Sequence, residues 1–179
     1  MDPYLIIDKY YREGQLRDLL ILHSRKVADK ALSAIRNTGL TFNRDLLYSG
    51  AMLHDIGIKA CHAPDIFCMG DQPYICHGII GGEILRKEGY PDLARFCERH
   101  TGAGLTIQDI KMQNLPLPLH NYLPETIEEK AVCYADKFFS KSGNPAEEKS
   151  FERVKASMAR HGSDTLKRFL DLHLLFSQK

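Results

Sequence analysis

Apolar residues recur at intervals of three and four along most of the chain, which is the spacing of one face of an α-helix. The longest such run is predicted between Gln15 and Thr38, and its apolar stripe consists of Leu16, Leu20, His23, Val27, Ala31 and Ile35. Strand-like alternation does not persist over any useful length. The pattern therefore predicts an all-α protein, a helical bundle with its chemistry in the core.

Capping and breaking residues divide this pattern into separate helices. A third helix is predicted from Asn43 to about Ile56, a loop from Gly57 to Tyr74, and a later helix beginning at Asn144-Pro145. The whole chain, residues 1–179, is expected to be one domain. Its core is expected over residues 16–142, with C-terminal packing helices over residues 145–179.

Six titratable residues interrupt the apolar faces of these helices or directly adjoin them. A lone histidine on such a face is usually a packed core residue, but burying six titratable groups together would be costly without a metal. The shared pattern therefore predicts a metal site in the core. Its expected ligands are His23, His54, Asp55, His77, His100 and Asp136.

The ligand types and their number restrict the metal chemistry. Imidazole and carboxylate ligands without cysteine suit iron, manganese, zinc or nickel. Six protein ligands are more than one catalytic ion needs, whereas two ions that share a carboxylate use all six and keep positions open. The sequence therefore predicts two divalent ions, with the identity of the metal left open.

Composition excludes several classes of protein and leaves the oligomeric state open. The 179 residues include 24 basic and 23 acidic side chains, so no overall basic field favours a nucleic-acid duplex as partner. No apolar run reaches the roughly 20 residues of a membrane span, and no signal peptide is recognisable. Five cysteines without a Cys-x-x-Cys pair indicate a reduced, cytoplasmic setting.

The ordered set His23, His54-Asp55 and Asp136 resembles the HD-domain superfamily of metal-dependent phosphohydrolases, and Ile56-Gly57 makes it similar to the HDIG subgroup. The resemblance covers residues 16–142. It implies that His23, His54, Asp55 and Asp136 bind the first metal. It further implies that Asp55 bridges to a second ion, which His77 and His100 hold.

The resemblance also implies a function. We expect hydrolysis of a phosphate ester or anhydride in a small phosphorylated substrate, a nucleotide, by a metal-activated hydroxide. Asp55 is expected to orient the nucleophile. Many dinuclear relatives carry a lysine three residues after this aspartate. That position is Ile58 here, so the following Lys59 is expected to contact substrate phosphate. No separate general base is evident.

Two alternatives remain open at this point. A similar six-ligand shell holds two irons in the inositol-oxygenase type of di-iron oxygenase, and a metal-containing module that only binds a ligand would need the same residues. Gly89-Tyr90-Pro91 spells the signature of HD-GYP phosphodiesterases, but it precedes His100. We therefore interpret that tripeptide as a turn.

Overall fold

The computed structural model describes residues 1–36 and 38–177. Residue 37 lies outside the described residues, just before the predicted end of the long helix near Thr38. Residues 178 and 179, in the predicted C-terminal packing region, also lie outside them. The described chain contains nine α-helices, which confirms the all-α prediction. They are α1 (Pro3–Tyr10), α2 (Gln15–Arg36), α3 (Arg44–Leu53), α4 (His77–Lys87), α5 (Pro91–Arg99), α6 (Ile107–Met112), α7 (Ile127–Asp136), α8 (Phe151–Ala159) and α9 (Ser163–Phe176).

Helices α2, α3, α5 and α7 surround the main core, and α4 packs along α5. Leu20, Leu47 and Met52 are completely buried there, as the apolar stripes require. Helices α8 and α9 pair with each other, and α9 returns to α7. None of the described helices combines the length and apolar character that crossing a membrane requires.

Two predicted boundaries are wrong. Helix α3 ends at Leu53, so His54 and Asp55 lie in the turn that follows it rather than inside the helix. Helix α8 begins at Phe151 and not at Asn144-Pro145, because Ser150 is the residue that caps it. The Asn144 side chain instead accepts a hydrogen bond from the Ala146 amide, which forms a local turn.

The segment between α3 and α4 is more ordered than the predicted loop. Three short 3₁₀ turns and a two-residue antiparallel ladder of β1 (His62–Ala63) with β2 (Cys68–Met69) lie within it. Strands this short carry too little alternation to be recognised in a sequence. The ladder folds the segment back on itself beside the turn that carries His54 and Asp55.

Neighbouring elements hold that turn in place from two sides. The Tyr11 hydroxyl, at the end of α1, donates to the Ile56 carbonyl at 2.7 Å. On the other side, Gly57 touches the first turns of α4. A Cβ at Gly57 would overlap the His77 carbonyl oxygen and the Gly81 amide. Glycine is therefore required for the turn to approach α4, and this approach brings His77 to Asp55.

Candidate metal centre

The fold brings all six predicted ligands into one buried cluster. His23 lies within α2, His77 begins α4 and Asp136 ends α7. His54 and Asp55 follow α3, and His100 follows α5. All six are buried. Four helices therefore end or begin at the cluster, and only His23 comes from the interior of a helix.

Four of these residues form one group. His23 Nε2 lies 3.0 Å from Asp136 Oδ1 and 3.2 Å from Asp55 Oδ2. His54 Nε2 lies 3.0 Å from the same Asp55 oxygen and 3.4 Å from Asp136 Oδ1. Two imidazoles and two carboxylates thus face a common point, an arrangement able to hold a divalent ion.

The other oxygen of Asp55 faces a second group. Asp55 Oδ1 lies 3.4 Å from His77 Nε2 and 3.5 Å from His100 Nε2. The two oxygens of a single carboxylate are therefore divided between two pairs of histidines. This division is the arrangement that a carboxylate bridging two ions requires.

Backbone carbonyls orient three of the imidazole rings. His54 Nδ1 contacts the Ala51 oxygen at 2.6 Å, His100 Nδ1 contacts the Phe96 oxygen at 3.1 Å, and His77 Nδ1 contacts the Tyr74 oxygen. A carbonyl can only accept, so each Nδ1 carries a proton and each ring directs its Nε2 atom into the cluster. In His77 and His100, whose pKa values are lowered by burial, this Nε2 is a bare lone pair.

These lone pairs show that a cation fits the cluster. The Nε2 atoms of His77 and His100 are only 2.9 Å apart although both Nδ1 atoms are donors, so a positive charge between them would replace repulsion by attraction. Nε2 of His54 and Oδ1 of Asp55 are buried without a hydrogen bond in the described structure. Metal binding would satisfy all of these atoms.

Burial and neighbouring charges give the histidines of the cluster different pKa values. Burial opposes the charge on His54, but the carboxylates of Asp55 and Asp136 outweigh burial and raise its pKa to about 9. Burial and the adjacent His100 lower the pKa of His77 to about 3. Although burial raises the pKa of Asp55, the charges of His54 and Lys141 outweigh it and hold that pKa well below its usual value. The pair His54–Asp55 therefore stays charged across neutral pH.

Lysines from the end of α7 reach the cluster, whereas Lys59 does not. Lys141 Nζ lies 2.6 Å from Asp55 Oδ2, and Lys137 Nζ lies 2.7 Å from Asp136 Oδ2. Lys59 is exposed and donates to the Tyr10 carbonyl at 2.8 Å, on the α1 side of the turn. The structure thus does not bring Lys59 to the ligands, and its catalytic role stays a prediction without a contact to support it.

A cleft of about 390 Å³ opens beside the cluster. Asp136 lies at its floor, and three lysines line it, namely Lys137, Lys141 and Lys149. Tyr74 and Phe139 provide aromatic surface. Such a volume is within the usual range for small-ligand sites. The cleft therefore combines the metal ligands with positive charge and aromatic walls.

The chain belongs to the HD-domain family, because the family model of the HD domain matches residues 20–140. The match includes all six residues of the cluster. It confirms the predicted superfamily and supports divalent-metal binding. The number of ions, the choice among iron, manganese, zinc and nickel, and the assignment of each ligand stay predictions.

Curated relatives are similar over part of their length. The chain is 37% identical over 135 residues to the tRNA (cytidine(56)-2'-O)-methyltransferase of Thermoplasma volcanium, covering 75% of this chain and 35% of that protein. It is 40% identical over 124 residues to the enzyme of the same name from Picrophilus torridus, covering 69% and 32%.

An uncharacterised protein of Methanocaldococcus jannaschii is 41% identical over 104 residues, covering 58% of this chain and 54% of that protein. No solved structure matches the chain at a significant level. The chain thus spans about a third of the length of the two methyltransferases and about half that of the third relative.

The relatives overturn the predicted reaction. Both methyltransferases are named for methyl transfer to tRNA and not for hydrolysis of a nucleotide phosphate, so the expected nucleotide phosphohydrolase is wrong. The HD-domain match and these names support enzyme status, but neither supports the hydrolase class. The sequence contained the signal for the fold and the metal site, and no signal for the reaction.

Because the ligands form two groups, we expect that a substitution in one group removes one ion and leaves the other bound. His77→Ala or His100→Ala should each remove about one ion per chain, because the His23, His54 and Asp136 side keeps its ligands. Metal content after dialysis against Mn²⁺, with circular dichroism to verify the fold, measures this. Retention of two ions in both variants would refute a dinuclear centre.

The raised pKa of His54 predicts that metal affinity depends on pH. In metal-free protein the proton on His54 stabilises the fold fully below pH 6.5, the ordinary value, and this contribution is lost as the pH rises through about 9. A metal must displace this proton, so affinity should rise by up to about tenfold per pH unit across that window.

Calorimetric titration with Mn²⁺ at pH 6.5, 7.5 and 8.5, in two buffers of different ionisation enthalpy, measures both the affinity and the protons released. The exposed His62, replaced by alanine, serves as the control and should leave the profile unchanged. A flat profile without proton release would contradict the charged state of His54.

Proposed function

We propose that this chain is a divalent-metal-dependent domain that binds one nucleotide of a tRNA and serves in tRNA modification. The observation that carries the proposal is that Asp136, one of the six clustered residues, lines a cleft that three lysines also line. The cluster supplies the metal site, the cleft supplies room for a ligand, and the lysines set the charge of that ligand.

The lining of the cleft favours a phosphate group bound close to the metals. Lys137 and Lys141 are held at the floor by Asp136 and Asp55, so their ammonium groups lie beside the ligand atoms of the cluster. Two bound divalent ions would add positive charge that attracts and polarises phosphate oxygens. The protein side chains would then fix the position of that phosphate.

The size of the cleft favours a single nucleotide over a duplex. A cavity of about 390 Å³ with Tyr74 and Phe139 in its wall suits one ribose-phosphate unit and its base. A duplex would require a broad basic surface, and the net charge of +1 gives no sign of one. We therefore expect a nucleotide of tRNA that is free to leave its helix.

The link to tRNA is supported by the two relatives named tRNA (cytidine(56)-2'-O)-methyltransferase. The aligned part is about a third of each of those proteins, and with 135 and 124 of the 179 residues aligned it must overlap the HD-domain match over residues 20–140. We therefore assign to this chain the metal-dependent binding of tRNA and leave the methyl transfer itself to those enzymes.

Binding of an unmodified tRNA transcript, measured by fluorescence anisotropy in Mn²⁺ and again in chelator, tests the proposal. We expect binding in Mn²⁺ that weakens at least about tenfold in chelator and in Lys141→Met, since each removes a cation from the phosphate site. A 12-base-pair RNA duplex, which lacks a free nucleotide, should bind weakly under both conditions.

Lys111→Met is the matched control, because Lys111 is an exposed lysine on α6 that is not part of the cleft lining. It should bind tRNA like the parent protein. Absence of tRNA binding by protein shown to contain metal, or equal affinity for the duplex, would overturn the proposed function.

A further inference from the structure

The cleft beside the metals continues outward past Lys149. A second cavity of about 310 Å³ shares Ser140, Ser142 and Lys149 with the first and extends to Arg153. The two cavities therefore form one groove that leads from Asp136 to the beginning of α8. The combined groove is longer than a single nucleotide bound at the metals would fill.

Two cations of the outer groove have no carboxylate partner. Lys137 and Lys141 are paired with Asp136 and Asp55, but neither Lys149 nor Arg153 has a carboxylate within ion-pair distance among residues 1–36 and 38–177. The carboxylate of Glu147 lines the same cavity without pairing with them. Burial lowers the pKa of Lys149, the charge of Asp136 raises it, and the charges of Lys137, Arg153 and Lys141 lower it further.

The backbone fixes the position of this pair. The Lys149 amide donates to the Phe138 carbonyl at 2.8 Å, and the Lys149 ammonium donates to the Phe139 carbonyl at 3.3 Å. Arg153 follows four residues later in the first turn of α8, next to the buried Val154. Lys149 and Arg153 both line the outer cavity.

We propose that Lys149 and Arg153, with the hydroxyls of Ser140 and Ser142, form a second anion subsite that binds the phosphate next to the one held at the metals. Both cations lie beyond residue 140, where the HD-domain match ends, so the match does not include them. The inference rests on the proposed function and makes the ligand class more specific. The groove selects an oligonucleotide strand over a mononucleotide.

Three single-stranded probes with one, two and three phosphates test the subsite: 5'-AMP, pApA and pApApA, each titrated in Mn²⁺. We expect pApA to bind about tenfold tighter than 5'-AMP, because it adds one phosphate contact to two cations. The double variant Lys149→Gln/Arg153→Gln should lose this gain, and Arg153→Gln alone, which changes only the outer cavity, should reduce the gain and bind 5'-AMP unchanged. For pApApA, the slope of log binding constant against log salt concentration should become shallower in the double variant by about 0.7 per lost phosphate contact.

Lys155→Gln/Arg160→Gln is the matched control, since it removes the same two charges from α8 and its C-cap outside the groove. It should retain the full gain. Equal affinity of pApA and 5'-AMP in the parent protein, or a gain that persists in the Lys149/Arg153 variant, would overturn the subsite and leave the metal-proximal site standing. Failure of all three probes to bind metal-loaded protein would instead overturn the proposed function and, with it, this inference.

Discussion

Replacement of Asp55 by asparagine is expected to reduce bound metal from about two ions per chain to less than one, because both groups depend on this residue. Its Oδ2 faces His23 and His54, and its Oδ1 faces His77 and His100. An amide keeps the shape of the side chain but loses the charge and one of the two acceptor oxygens. Elemental analysis after dialysis against Mn²⁺ measures the loss.

Asp65→Asn is the control for this experiment, because Asp65 lines the cleft without contacting the ligands. It should retain the parent metal content. The Asn variant must also be shown to fold, since Lys141 loses its buried partner. Retention of two ions by a folded Asp55→Asn protein would contradict the bridging role.

Removal of metal is expected to lower the melting temperature by about 8–16 °C. A ligand at a thousand times its dissociation constant stabilises a fold by about 4 kcal/mol, and each kcal/mol shifts the melting temperature of a chain this size by about 2–4 °C. The physical source is the cluster itself, where lone pairs and carboxylates are buried close together. Differential scanning calorimetry in Mn²⁺ and in chelator measures the shift.

Asp55→Asn provides the internal control, because a protein that cannot hold both ions should show little response to Mn²⁺. The exposed Asp71→Asn should respond like the parent protein. Equal melting temperatures of the parent protein with and without metal would show that the ions contribute nothing to the stability of the fold.

The sequence was sufficient to predict an all-α fold and the six residues that lie together in one buried cluster. Each ligand interrupts or adjoins an apolar stripe, so helical phase alone directs His23 and Asp136 inward. The sequence could not show that each Asp55 oxygen faces a different pair of histidines, since this depends on how α4 and α5 pack against the turn after α3. Packing of that kind is tertiary information, and local spacing does not contain it.

The structure brings a different lysine to the cluster than the predicted Lys59, for a related reason. Lys59 follows the His-Asp motif in sequence, but the turn directs it toward α1 and the Tyr10 carbonyl. Lys141 is 86 residues from Asp55 and reaches it only because α7 ends against the turn. Sequence proximity therefore favoured Lys59, whereas the fold brings Lys141 to the cluster. The function was mispredicted because a fold and a metal site do not define a reaction.

Backbone carbonyls, and not a metal, orient the imidazole rings of His54, His100 and His77. These carbonyls belong to Ala51, Phe96 and Tyr74, respectively. The predicted ligands are thus preorganised by the fold, so binding one divalent ion or exchanging it for another needs no refolding. Since affinities for such nitrogen and oxygen shells follow the general order of the metals, cellular supply should decide which element this protein carries. Protein purified from cells grown on different trace metals should therefore contain different metals and have the same structure.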